Sequence, residues 1–128
     1  ATENEEVVSP EDTEYLDIPA GVDVYEINGP FFFGLASRIE ELSSIKGDQT
    51  KVRIIRMRRV PFIDSTGVNN LRNLCERTRK RGVTVILSGV TEKVQATLEK
   101  FGVDKEIGAE NIFPHIVPAL EKANELVK

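Results

Sequence analysis

The sequence predicts an α/β domain, a mostly parallel sheet with an antiparallel edge strand and about four helices, on three observations. Short runs rich in β-branched residues alternate with longer stretches whose apolar residues recur at helical spacing, the pattern of strand–helix–strand units. Glycine, proline and hydroxyl residues punctuate the changeovers, and 128 residues make one domain with a single buried core.

Residues 1–12 are polar and acidic with little to bury, so they read as a leader or tether, and residues 13–128 form the single domain. Residues 14–18 and 22–27 alternate apolar and polar side chains around Pro19-Ala20-Gly21, which suggests two neighbouring strands and a tight turn. Gly29-Pro30 halts the second strand, and Phe32, Leu35, Ala36, Ile39 and Leu42 then mark one face of a first helix. The unit repeats. A strand over 52–57 precedes a helix over 66–80, whose stripe is Val68, Leu71, Leu74, Cys75 and Thr78. A strand over 83–88 precedes a helix over 92–101, capped by Thr91 with Val94, Leu98 and Phe101 facing inward. A short strand near 111–113 leads into a last helix to about 127. Pro114 and Pro118 fall in or before its first turn, where a missing N–H costs little, and its stripe is Ile116 or Val117, then Leu120, Ala123 and Val127.

Composition bounds the function. No apolar run approaches the roughly 20 residues that span a bilayer. Cys75, the only cysteine, lies on an apolar helix face, which fits a packed thiol in a reducing compartment. The net charge of −4 hides an asymmetry: the first 37 residues hold nine acids and no lysine or arginine, which leaves +5 on the rest. A basic centre and an acidic leader can attract each other or meet separate partners. The chain as a whole is acidic and few aromatics lie among its basic residues, which argues against a nucleic-acid partner. Arg77, Arg79, Lys80 and Arg81 suit a helix C-terminus. Arg56, Arg58 and Arg59 cluster around a strand end, either as an anion-facing or lipid-facing patch or, more often for such arginines, paired with nearby acids or in solvent.

Chemistry concentrates at Phe62-Ile63-Asp64-Ser65-Thr66-Gly67, where an apolar run ends in an acid and two hydroxyls before a helix. Asp64, Ser65 or Thr66 can each accept a backbone N–H as the cap, so the turn is either a helix cap or a binding or modification site. If the strands are parallel, the turns at 28–31, 63–67 and 88–91 share one sheet edge. Three helix N-termini there either attract an anion or are satisfied by neighbours and water. One histidine (His115), one cysteine and no Gly-x-x-x-x-Gly-Lys-Ser/Thr loop argue against catalysis, and no pair of Cys or His residues has metal-ligand spacing.

The order strand, Ile63-Asp64-Ser65-Thr66-Gly67, helix, then residues 81–87 (Arg-Gly-Val-Thr-Val-Ile-Leu) resembles the STAS domain, shared by sulfate transporters and anti-sigma factor antagonists. Residues 28–33 (Asn-Gly-Pro-Phe-Phe-Phe) and 107–113 (Ile-Gly-Ala-Glu-Asn-Ile-Phe) are similar to the lead-ins to the first and last helices in SulP anion transporters. The resemblance implies a STAS fold and a non-catalytic regulatory domain at the cytoplasmic face of the membrane. It would support transporter assembly, trafficking and control of transport, with the acidic leader as the tether. The implied partners are the transporter's own membrane domain, cytoplasmic regulatory proteins and a second protomer; Phe31, Phe32 and Phe33 would serve a dimer contact if part of the cluster is exposed, or are buried on one helix face. In the antagonist subgroup the third position of a motif resembling Asp64-Ser65-Thr66-Gly67 is phosphorylated. That makes Thr66 the candidate acceptor and Ser65 the alternative, and it defines the other reading, a free-standing anti-sigma factor antagonist. No cofactor is implied beyond weak nucleotide binding, for which the candidate contacts are Gly29, Phe31, Asp64, Ser65, Thr66, Ser88 and Gly89. A small nucleotide-hydrolysing enzyme is the third reading.

Overall fold

The computed structural model describes residues 18–28 and 50–128. Within them three strands, β1 (Val22–Asn28), β2 (Val52–Arg59) and β3 (Thr84–Ser88), form a parallel sheet in the order β1-β2-β3. The expected antiparallel strand over 14–18 and the first helix lie outside the described residues, except for Ile18, which is in no strand. β2 runs two residues further than its β-branched core, because Arg58 and Arg59 continue the strand beyond the buried part.

The register is set at one end by Gly21, whose φ of 88° lets its carbonyl accept from both Lys51 N (2.7 Å) and Val52 N (3.1 Å). From there Val22, Val52 and Thr84 align across the sheet, then Val24, Ile54 and Ile86. Side chains alternate between the two faces. On one face Tyr25, Ile27, Ile55, Met57, Val85 and Leu87 build the larger core, and on the other Val24, Val52, Ile54 and Ile86 build the smaller. Both faces are buried, which explains why β3 reads as a nearly continuous apolar run and why the adjacent Ile54 and Ile55 of β2 are both buried.

The larger core is closed by α1 (Ser65–Lys80), α2 (Glu92–Lys100) and α3 (Val103–Ile107), which contribute Leu71, Leu74, Val94, Leu98, Val103 and Ile107. Each fully buried aliphatic side chain of this kind contributes about 1.5–3 kcal/mol. Thr91 Oγ1 accepts from Val94 N at 3.2 Å and so caps α2 as expected. Phe101 does not face inward: it is 39% exposed, because α2 ends at Lys100 and Gly102, at φ 76°, turns the chain away. Val103 and Ile107, just beyond that turn, join the larger core. Arg72 ties α1 to this turn, donating from Nε to Glu106 (2.9 and 3.1 Å) and from Nη2 to the Phe101 carbonyl (2.8 Å).

The expected strand near 111–113 is a single parallel bridge between Leu87 and Ile112, preceded by a 3-10 turn at Ala109–Asn111. Phe113 N donates to Leu87 O (2.9 Å) and Val90 N to Phe113 O (3.2 Å), so this segment continues the sheet edge. α4 (Ile116–Val127) then crosses to the smaller core and lays Ala119 and Ala123 on it. Of the two candidates for the first inward residue, Ile116 packs against that core and Val117 is 61% exposed.

Candidate functional site

The start of α1 is a closed helix cap. Asp64 is extended at φ −96°, and its Oδ1 accepts from Gly67 N at 2.8 Å while its carbonyl accepts from Val68 N at 2.8 Å. The local sequence dictates this, since a short carboxylate three residues before Gly67 reaches that N–H without strain. Gly67 is buried beneath the turn, whereas Ser65 and Thr66 are exposed. The cap is therefore Asp64, and the two hydroxyls remain accessible. Beside the turn Phe62 is exposed, with Lys93 Nζ 5.9 Å from its ring centroid.

A different arrangement stands where α4 starts. Glu26, Arg56 and Ser88 are register partners across the three strands, one step beyond the apolar row Val24, Ile54 and Ile86. They share that row's face, so the smaller core ends in a polar row beneath the beginning of α4. Glu26 is buried and meets three guanidinium groups: Arg59 Nε at 2.8 Å, Arg58 Nε at 3.0 Å and Arg56 Nη1 at 3.7 Å. Burial, and then the neighbouring Arg58 charge, pull the Arg56 pKa below its ordinary value, while Glu26 pulls the other way and Arg59 adds to the lowering. Of the alternatives for these arginines, pairing with an acid is the one found.

Above this row lies a cavity of about 480 Å³, within the range of small-molecule sites. Its walls are Arg56, Arg58, Ser88 and Gly89 from the sheet edge and residues 114–118 from the approach to α4. Gly89 is required here: its φ is +68°, and a Cβ would come within 2.7 Å of Arg58 N. No side chain caps α4; His115 occupies the N-cap position but is exposed and makes no capping bond. Ser88 is fully buried, and its Oγ has no hydrogen-bond partner among the described residues.

Of the candidates read from sequence, Ser88 and Gly89 thus line one cavity, while Asp64, Ser65 and Thr66 sit at the α1 turn and do not line it. Gly29 and Phe31 lie outside the described residues. The sequence pattern did not join Glu26 and Arg56 to Ser88, because the three align only in the observed register, as the fifth residue of each strand.

A second buried charge pair occupies the opposite face at the other end of the strands. Arg53 Nη2 donates to Asp23 Oδ2 at 3.1 Å, Thr50 Oγ1 donates to the same oxygen at 3.1 Å, and the Arg53 guanidinium lies 5.4 Å from the Tyr25 ring centroid. Arginine suits such a site because its planar fork pairs and stacks at once. This pair is far along the strands from the cavity and serves the packing of the sheet.

The reactive residue types are quiet. Cys75 is buried, and burial pushes its thiol up to about 12, so it is not a nucleophile at neutral pH. Asp64 is engaged as a cap. Among the described residues no group of three His, Cys, Asp or Glu side chains could hold a metal.

Comparison with known proteins agrees with this architecture. The family model described as STAS domain matches residues 16–119. The sulfate transporter family protein from Wolinella succinogenes superposes with a TM-score of 0.81 at 43% identity, over 94% of this chain and 98% of that one. The STAS domain of a SulP transporter from Vibrio cholerae gives 0.79 at 32% identity, over 87% of each chain. YvdB of Bacillus subtilis, whose name assigns it to the sulfate transporters, is 27% identical over 95 residues, which is 73% of this chain but 18% of YvdB. The chain therefore spans less than a fifth of the length of that relative.

Proposed function

The chain belongs to the STAS domain family, and on that premise we propose that it is the non-catalytic regulatory and interaction domain of a SulP-type transporter for sulfate or another anion. The observation that carries this reading is the 43% identity, over nearly the whole of both chains, to a sulfate transporter family protein. No helix among the described residues is long and apolar enough to cross a membrane, so the transport path would belong to a membrane domain outside this chain. The domain would sit at the cytoplasmic face and act through surfaces, supporting assembly, trafficking and the control of transport.

Sulfate uptake by cells carrying the whole transporter, with and without this domain, tests the reading. Loss of uptake, or of transporter from the membrane fraction, is expected on deletion. Unchanged uptake and unchanged membrane content would overturn it. The coding sequence upstream is expected to encode apolar segments of about 20 residues each.

One observation favours a second reading, an antagonist-type switch at Thr66. Its hydroxyl is exposed in the first turn of α1, where a kinase can reach it. Phosphate there would add about −1.5 to −2 charges, favoured by the helix start and opposed by Asp64. Mass spectrometry of peptide 60–72 after incubation with cell lysate and ATP decides: phosphate on Thr66 supports the switch, and its absence counts against it.

A further inference from the structure

The cavity at the start of α4 is not used by the interaction-domain reading, yet three independent features of it call for a ligand. The first is charge. Glu26 is one carboxylate shared by three guanidinium groups, and Arg58 and Arg59 hold its oxygens at 3.0 and 2.8 Å. Arg56, at 3.7 Å, is beyond good hydrogen-bond distance although it is only 9% exposed and lines the cavity. A buried cation in excess is costly until an anion meets it.

The second is Ser88. A buried hydroxyl almost always has a partner, and this one, in the cavity wall beside Arg56, has none among the described residues. The third is the uncapped α4 helix. Ile116 and Val117 open its first turn in the cavity wall, where free N–H groups and the helix dipole favour negative charge. Apart from Arg58 and His115, the rest of that wall among the described residues, Pro114 and Pro118 included, is apolar and stiff.

The geometry points to a binding site for a small organic carboxylate. Its head would lie between the Arg56 guanidinium and the Ser88 hydroxyl, and its apolar body against the Pro114–Pro118 segment. Two neighbouring donor groups match the two oxygens of a carboxylate, and a guanidinium recognises that head by its planar fork. Sulfate or phosphate has no apolar body to lay against Pro114, Ile116, Val117 and Pro118, so that part of the wall would stay unused. Occupancy would bridge the sheet edge and the α4 start, which the Phe113–Leu87 bond already brings close.

The site is tested on the whole 128-residue chain by amide NMR titration with benzoate and hexanoate, with sodium sulfate and GTP in parallel at matched ionic strength. Saturable shifts are expected at the amides of Ser88, Gly89, Ile116 and Val117, with affinity in roughly the millimolar range usual for so small a ligand. Ser88→Ala is expected to weaken carboxylate binding about fivefold while the chain stays folded, the loss of one hydrogen bond. Arg56→Lys, which keeps the charge and loses the fork, is expected to weaken it about tenfold. Shifts that do not saturate, or that scatter over the surface, would overturn the site. Equal or tighter binding of sulfate or GTP at the same amides would overturn the carboxylate assignment. Wild-type affinity in Ser88→Ala would remove the hydroxyl from the site even if Arg56→Lys failed to fold.

Discussion

Helices α1 and α4 both start near the C-terminal edge of the parallel sheet, and they start in opposite ways. α1 is closed by a carboxylate three residues away in sequence: Asp64 accepts the Gly67 N–H, and the turn is complete without help from any other element. Among the described residues α4 has no side-chain cap, and it opens onto a cavity whose polar floor comes from β2 and β3, with Glu26 of β1 behind Arg56. A helix start rich in capping residues is thereby satisfied, with Ser65 and Thr66 left exposed beside the cap. A helix start poor in them leaves its N–H groups and its neighbours' charges for something else. Richness in polar residues marks the finished site, and the unfinished one is assembled from residues far apart in the chain.

The largest test of this contrast is Glu26→Gln. Glu26 is the buried anion that organises Arg56, Arg58 and Arg59 beneath α4, so the amide would leave Arg56 buried beside two like charges. A loss of about 3 kcal/mol in urea unfolding is expected, the low end of the range for breaking a buried pair, because Arg58 and Arg59 reach solvent. A loss below about 1 kcal/mol would mean that the cluster behaves as a surface network, and the two helix starts would differ less than their geometry indicates.

Asp64→Ala strikes the other side of the comparison and is expected to cost about 1 kcal/mol, the usual value of an N-cap. Asp64→Asn should cost only a few tenths, since the amide oxygen also caps. Equal losses for both, read from thermal or urea unfolding, would show that the negative charge at the helix start matters more than the hydrogen bond to Gly67.

The same contrast explains what could be read from the sequence. The strand–helix alternation was legible because β-branched runs and helical stripes are local patterns, and the cap at residues 64–66 was legible because its donor is three residues away. Parallel pairing, once inferred, also put Ser88 and Gly89 at the correct sheet edge. The Glu26–Arg56–Ser88 row was not legible, because it exists only in the register that aligns the fifth residue of each strand. Phe101 misled for a related reason. Its spacing continues the α2 stripe, but Gly102 ends the helix before that spacing can act, and the five-residue α3 is too short to show a periodicity of its own.

Ser88→Ala carries the smallest change in stability and the sharpest meaning. Removing a buried, partnered hydroxyl usually costs about 1 kcal/mol, whereas removing one that is buried without a partner relieves its lost hydration. Without ligand the variant is therefore expected to match the wild type within about 0.5 kcal/mol or to exceed it. A loss of 1 kcal/mol or more would mean that Ser88 is partnered in solution, and the α4 cavity would be as finished as the α1 turn. In saturating benzoate the order should reverse. Ligand stabilises whichever protein binds it more tightly, so the wild type gains more than the variant by an amount set by the ratio of their affinities. A change of sign between the two conditions separates a hydroxyl kept for a ligand from one kept for packing.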